Sequence, residues 1–118
     1  NTAKNKYDLT KLKSVYNKKI QNYLSRIDKL HELALKLNSK PVFITNISSG
    51  GYNKIGLILN ISLIEHCKKR NYQCIDLAKK LDSNLNYWKD GMHTTNIGSR
   101  AVANLIYSDL KTILLKLN

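Results

Sequence analysis

Two short runs of β-branched and aromatic residues, Val42-Phe43-Ile44-Thr45-Asn46-Ile47 and Tyr72-Gln73-Cys74-Ile75-Asp76-Leu77, constrain this chain more than any other feature. Runs of this length and composition read as strands. Between them Leu57, Ile61, Ile64 and Cys67 form the inward side of a helix from about Ile55 to Arg70, with Asn71 as its stop. Strands joined through a helix pair in parallel, and the crossover is right-handed. Parallel strands are covered on both faces, so Val42 to Ile47 is expected to be buried on both. Ser48-Ser49-Gly50-Gly51-Tyr52-Asn53, ahead of the helix, reads as a flexible loop.

Two further helices compete for this small sheet. Leu9, Leu12, Tyr16, Ile20, Tyr23, Ile27, Leu30, Ala34 and Leu37 recur every three or four positions, one stripe of a single long amphipathic helix. Asp8 is placed to cap its start, and Asn38-Ser39-Lys40-Pro41 to end it. After a short helical piece, Leu77 to Leu81, and a polar loop from Asp82 to Asn96, a last helix runs from about Ile97 to Leu117. Its inner side carries Val102, Leu105, Ile106, Ile113 and Leu117. Two strands cannot bury the stripes of three substantial helices. The expected fold is therefore α/β but incomplete, with residues 1–118 as a single partial domain. Its sheet would be completed by an N-terminal segment of the same protein or by a partner chain. The opening Asn1-Thr2-Ala3-Lys4 lacks an initiator methionine, and Met92 is the single methionine, which predicts a mature or clipped segment.

Composition removes several function classes. Hydrophobic residues make up 42%, enough for a packed core. The longest apolar run, Ile55 to Ile64, is cut by Gly56, Asn60 and Ser62, well short of the ~20 residues of a bilayer span, so no membrane span is expected. The net charge of +12 raises a nucleic-acid hypothesis, yet all but three of the twenty basic residues are lysine. Arg26, Arg70 and Arg100 lie far apart, whereas nucleic-acid surfaces gather Arg with aromatics. The charge reads as a solvated lysine coat, with no nucleic-acid partner. Cys67 and Cys74 make neither a metal site nor a disulfide framework, and buried free thiols are expected.

The chemistry concentrates in Tyr87-Trp88-Lys89-Asp90-Gly91-Met92-His93-Thr94-Thr95-Asn96-Ile97-Gly98-Ser99, between the last strand and the last helix. Functional residues of open α/β sheets gather in such loops. A carboxylate three residues before an imidazole, on a tight turn, can receive its Nδ1 proton. That bond fixes the tautomer, leaves Nε2 as a general base and stabilises the imidazolium. Asp90 and His93 are therefore the candidate catalytic residues. Thr95 or Asn96 can cap the following helix, and Gly98 lets that helix pack closely on the sheet. His31 and His66, amid charged residues on helices, read as solvated surface. Asp76 reads as a structural hydrogen-bonding group, and Tyr87 and Trp88 as either pocket lining or loop packing.

In the order of these parts the chain resembles the C-terminal half of the SGNH or GDSL-type hydrolases, esterases and lipases of three-layer α/β/α, flavodoxin-like fold. The resemblance runs from the Tyr16 to Leu37 helix through Pro41-Val42-Phe43-Ile44-Thr45, the loop from Asn46 and Cys74-Ile75-Asp76-Leu77. It continues to Asp90-Gly91-Met92-His93 with Gly98 and the closing helix. It implies a serine esterase acting on carboxylic esters, with small-molecule, glycan or lipid substrates, using no metal or organic cofactor. His93 would deprotonate the serine and Asp90 would orient His93. The family's Gly-Asp-Ser nucleophile and Gly-x-Asn-Asp motifs do not occur here, so the resemblance carries over to Asp90 and His93 only. Ser48 and Ser49 lack a nucleophile elbow and read as loop residues. Acyl transfer uses the same machinery. The rivals are a non-catalytic interaction domain of the same fold and a basic nucleic-acid-binding module.

Overall fold

The computed structural model describes residues 7–48, 53–81 and 84–117. Its elements are α1 (Leu9–Val15), α2 (Asn17–Lys36), β1 (Val42–Ile44), α3 (Lys54–Arg70), β2 (Gln73–Ile75), α4 (Leu77–Lys80), a 3-10 turn at Leu85–Tyr87 and α5 (Asn96–Leu117). Helices dominate, and β1 and β2 form a two-stranded parallel sheet, so the fold is mixed α/β. The chain divides into two compact units, Asn1–Phe43 with Tyr52–Cys74, and Ile44–Gly51 with Ile75–Asn118.

In the first unit the cap expected at Asp8 is present, its carboxylate accepting from the Lys11 amide at 3.1 Å. The single long helix is not. Tyr16, at φ −101° and ψ 16°, separates α1 from α2. Neither proline nor glycine stands there; the break falls where the Tyr16 ring packs on a cluster of Leu12, Ile20 and Ile58. Tertiary packing here overrides a sequence pattern that runs straight through. Asn38 ends α2 in the left-handed conformation (φ 57°), and the Ser39 amide returns to the Ala34 carbonyl. Leu30 and Leu37, which the stripe places inward, stay largely exposed.

Helix α3 starts at Asn53, whose side chain accepts from the Gly56 amide, and ends at left-handed Asn71. Its deepest residues are Ile58 and Leu63, with Leu57 and Cys67, while Ile61 and Ile64 are half-buried. Leu63 and Cys67 pack with Ile27 of α2 in a second cluster, flanked by Tyr23, Phe43, Tyr72 and Cys74. Enclosing an aliphatic side chain this fully stabilises by about 1.5–3 kcal/mol, so Ile58 and Leu63 fix α3 against α2 more than the expected Ile61 and Ile64 do.

The strands are shorter than the sequence predicts, three residues each, and β1 is not buried on both faces. Val42 and Phe43 are half-buried and Ile44 is exposed. Each strand has one strand neighbour in the sheet, which leaves too little structure to enclose both sides. The thiols are not free: Cys67 and Cys74 form a disulfide that ties the end of α3 to β2. Seven residues of separation and a Cα–Cα distance of 6.3 Å put both within reach of a bridge. Composition alone could not show this, because the left-handed turn at Asn71 is what brings the two cysteines back together.

In the second unit Thr45 is buried and its amide donates to the Ile75 carbonyl at 3.1 Å. Its hydroxyl donates to Asp76 Oδ1 at 3.1 Å and accepts from the Ala78 amide. Asp76 also caps α4, the structural role expected of it. On α5, Ile113 is buried and Val102, Leu105 and Ile106 are half-buried, but Leu117 is exposed. Lys80 of α4 pairs with Asp109 of α5.

Candidate active site

From Asn84 to Thr95, ahead of α5, the chain is organised from its main chain outward. Trp88 and Thr94 form an antiparallel bridge, and the Lys89 amide donates to the His93 carbonyl at 2.8 Å. The five residues Lys89 to His93 thus close a tight turn. Inside it Asp90 Oδ1 accepts from the Met92 amide at 2.7 Å and the His93 amide at 2.8 Å. This is the local side-chain mimicry of a turn that Asp favours. The other carboxylate oxygen, Oδ2, meets His93 Nδ1 at 2.8 Å.

The electrostatics settle which partner carries the proton. Hydrogen bonds from the Met92 and His93 amides, then from the His93 ring, hold the Asp90 carboxyl at about 2, against an ordinary 3.8. Near neutral pH Asp90 is a carboxylate, so it accepts and Nδ1 donates. Nε2 of a neutral His93 then carries the lone pair. The arrangement has the polarity of a general base with its orienting acid.

Thr95 ties the turn both to α5 and to the 3-10 turn. Thr95 caps the helix, its hydroxyl oxygen accepting from the Gly98 amide at 3.1 Å. The same hydroxyl donates to the Asn86 carbonyl, and the Thr95 amide donates to the Tyr87 carbonyl. Gly98 is buried directly against that Tyr87 carbonyl, where any Cβ would collide with main chain. The close approach expected of Gly98 is therefore real, but its neighbour is the 3-10 turn and not the sheet. Thr94 and Ser99 hydroxyls share a hydrogen bond at 2.6 Å. Tyr87 and Trp88 are half-buried. The pair itself stands open, with side-chain exposures of 74% for His93 and 56% for Asp90.

Of the loop serines, Ser48 is exposed, whereas Ser49, with Gly50, Gly51 and Tyr52, lies outside the described residues, as do Asp82 and Ser83. The other two histidines correct the sequence reading. His66 is not solvated: its ring is 11% exposed and its Nε2 meets Asp28 Oδ1 at 2.7 Å. The Tyr72 hydroxyl donates to the same oxygen at 2.7 Å, and Arg70 lies 3.7 Å from Oδ2. His31 stacks on the Tyr72 ring at 3.9 Å between centroids. Burial alone would raise the Asp28 carboxyl. The hydrogen bonds from His66 and Tyr72 and the charges of His66 and Arg70 outweigh it, so the net shift is downward. Partial burial and the Asp28 bond hold the Tyr72 hydroxyl above its ordinary range. These partners are 38 and 44 residues apart, and no local motif announces them.

Among the described residues no helix is long and apolar enough to cross a membrane, and no group of His, Cys, Asp and Glu side chains is placed to hold a metal ion. Compared with protein-family models, with curated proteins and with solved structures, the chain matches none.

Proposed function

We propose that Asp90 and His93 are the acid and base of a Ser-His-Asp site in a serine esterase of SGNH type, acting on carboxylic esters. The single observation that carries this is the bond from His93 Nδ1 to an Asp90 carboxylate already fixed by two main-chain amides. The order of elements supports it: strand, helix, parallel strand, short helix, Asp-x-x-His turn, closing helix. On this proposal the fold is one part of a three-layer α/β/α hydrolase. The serine and its oxyanion donors come from a segment of the same protein or a partner chain that also covers the exposed pair. His93 Nε2 takes the serine proton as the ester carbonyl is attacked, then delivers it to the leaving alcohol. Water, activated by the same nitrogen, releases the acid and restores the serine. No step needs a metal or an organic cofactor.

The test is hydrolysis of p-nitrophenyl acetate by the full-length protein. His93→Ala should lower kcat by about 10³-fold or more, the scale of losing a triad member. Unchanged kcat/KM in that variant would overturn the proposal.

A further inference from the structure

The first unit contains a cavity of about 460 Å³, walled by α1, α2 and α3. Small-molecule sites span roughly 300–1,000 Å³. On α2 the wall is one helical stripe, Asn17, Gln21 and Asp28, with Ser25 beside it; on α3 it is Ser62, His66 and Lys69, with Arg70. The acids in this wall are already engaged. Both Glu65 oxygens accept from Lys13 Nζ, at 2.9 and 2.8 Å, and Asp28 Oδ1 accepts from His66 and Tyr72. The groups left over are hydroxyls and amides, which both donate and accept, and a cation. Among the described residues the Ser25 and Ser62 hydroxyls, the Asn17 and Gln21 amides and the Lys69 ammonium have no hydrogen-bond or ion-pair partner.

Ser62 decides that this is more than a surface groove. It is 5% exposed, in the middle of α3. A helical hydroxyl in such a place usually bonds back to the carbonyl four residues earlier, as Thr112 does to Ser108 at 3.2 Å. Ser62 does not. Every side-chain oxygen sealed from solvent among the described residues has a partner, so the Ser62 hydroxyl must open onto the cavity it lines. Water or a ligand in the cavity therefore completes the hydrogen bonding of this hydroxyl.

We propose that this cavity binds a small hydroxylated anion of the sugar-phosphate or sugar-acid class. Lys69 and Arg70 meet its charge, Ser62 with Asn17, Gln21 and Ser25 meets its hydroxyls, and Ile20 and Leu24 lie against its carbon skeleton. The charge follows from the wall, because its carboxylates are committed internally while Lys69 is not and Arg70 holds Asp28 only at 3.7 Å. Neither Asp90 nor His93 is among the residues that line it.

The test is an amide NMR titration of the 118-residue chain with glucose 6-phosphate, with glucuronate and with neutral glucose, in roughly 0.15 M salt to screen the lysine coat. Saturable shifts centred on Gln21, Ser25, Ser62 and Lys69 are expected with an anionic sugar, with glucose binding about ten-fold more weakly or worse. Ser62→Ala and Lys69→Gln should each weaken binding several-fold with unchanged circular dichroism. Lys40→Gln, exposed and outside the cavity wall, should not. Three results would overturn the proposal: no saturable shifts, shifts scattered over surface lysines, or wild-type affinity in both Ser62→Ala and Lys69→Gln. Glucose binding as tightly as its phosphate would also refute it.

Discussion

Each compact unit carries an Asp–His pair at hydrogen-bond distance, and the two pairs are built in opposite ways. Asp90 and His93 are three residues apart, held by a turn and exposed; Asp28 and His66 come from different helices and are largely enclosed. Asp90 takes Nδ1 and leaves Nε2, the outer nitrogen of the ring, whereas Asp28 takes Nε2 itself. The carboxylate of the first pair is anchored mainly by main-chain amides. That of the second is anchored by side chains, and a tyrosine closes it off. Position in a turn thus leaves the second imidazole nitrogen open to the outside, and burial between helices makes a cross-link.

The largest expected effect breaks this contrast at the chemistry. In the full-length protein Asp90→Asn should lower kcat by about 10³–10⁴-fold, because an amide at that place no longer enforces the donor tautomer at Nδ1. Thermal stability should hardly change. A greater loss of kcat from Asp28→Asn, assayed where both variants are folded, would invert the assignment of roles.

The disulfide sharpens the comparison from the other side. Cys67 packs in the cluster flanked by Tyr72, so it belongs to the enclosed pair's surroundings. Closing a loop this short is worth about 2–3 kcal/mol through the unfolded chain. Reduction should therefore lower Tm by roughly 10 °C or more for a domain of this size. Amide shifts near His66 and Tyr72 should move, while those of Met92 and His93 stay in place. Equal movement in both regions would show that the exposed turn depends on the bridge.

A smaller effect is expected from Asp28→Ala. It leaves His66 and Tyr72 without their shared acceptor, at a cost of about 1–3 kcal/mol in chemical denaturation. No loss would mean that water replaces the carboxylate in solution.

The same contrast explains what the sequence could disclose. Asp90, His93, Thr95 and Gly98 are legible because their geometry is set locally along the chain, by turn, cap and close approach. The ends of α2 and α3 are legible for the same reason, through Asn38 and Asn71. The Asp28–His66–Tyr72 cluster and the break at Tyr16 are not, since each depends on how the helices meet, and the disulfide is not, since it depends on the turn at Asn71 carrying β2 back to Cys67. One signal did exist: Asn60 and Ser62 interrupt the apolar run of Ile55 to Ile64, which marks a polar requirement inside a buried helix face.

Acid should separate the pairs by the smallest and most local effect. Both carboxyls are depressed in the folded chain, so each contributes stability above its ordinary range that is lost as pH falls through its folded value. For Asp90 the window runs from about 3.8 down to about 2. Protonation there releases the Met92 and His93 amides and the ring, loosening a turn that the rest of the unit does not need. For Asp28 protonation removes the acceptor shared by His66 and Tyr72, so its loss belongs to the global unfolding transition. Carboxyl-carbon NMR titration should therefore show Asp90 titrating near 2 while α5 persists, and Asp28 titrating together with the loss of tertiary structure. An Asp90 midpoint at its ordinary value would mean that the two amide bonds do not hold the carboxylate in solution. The imidazole would then lack the fixed tautomer on which its proposed role as a base depends.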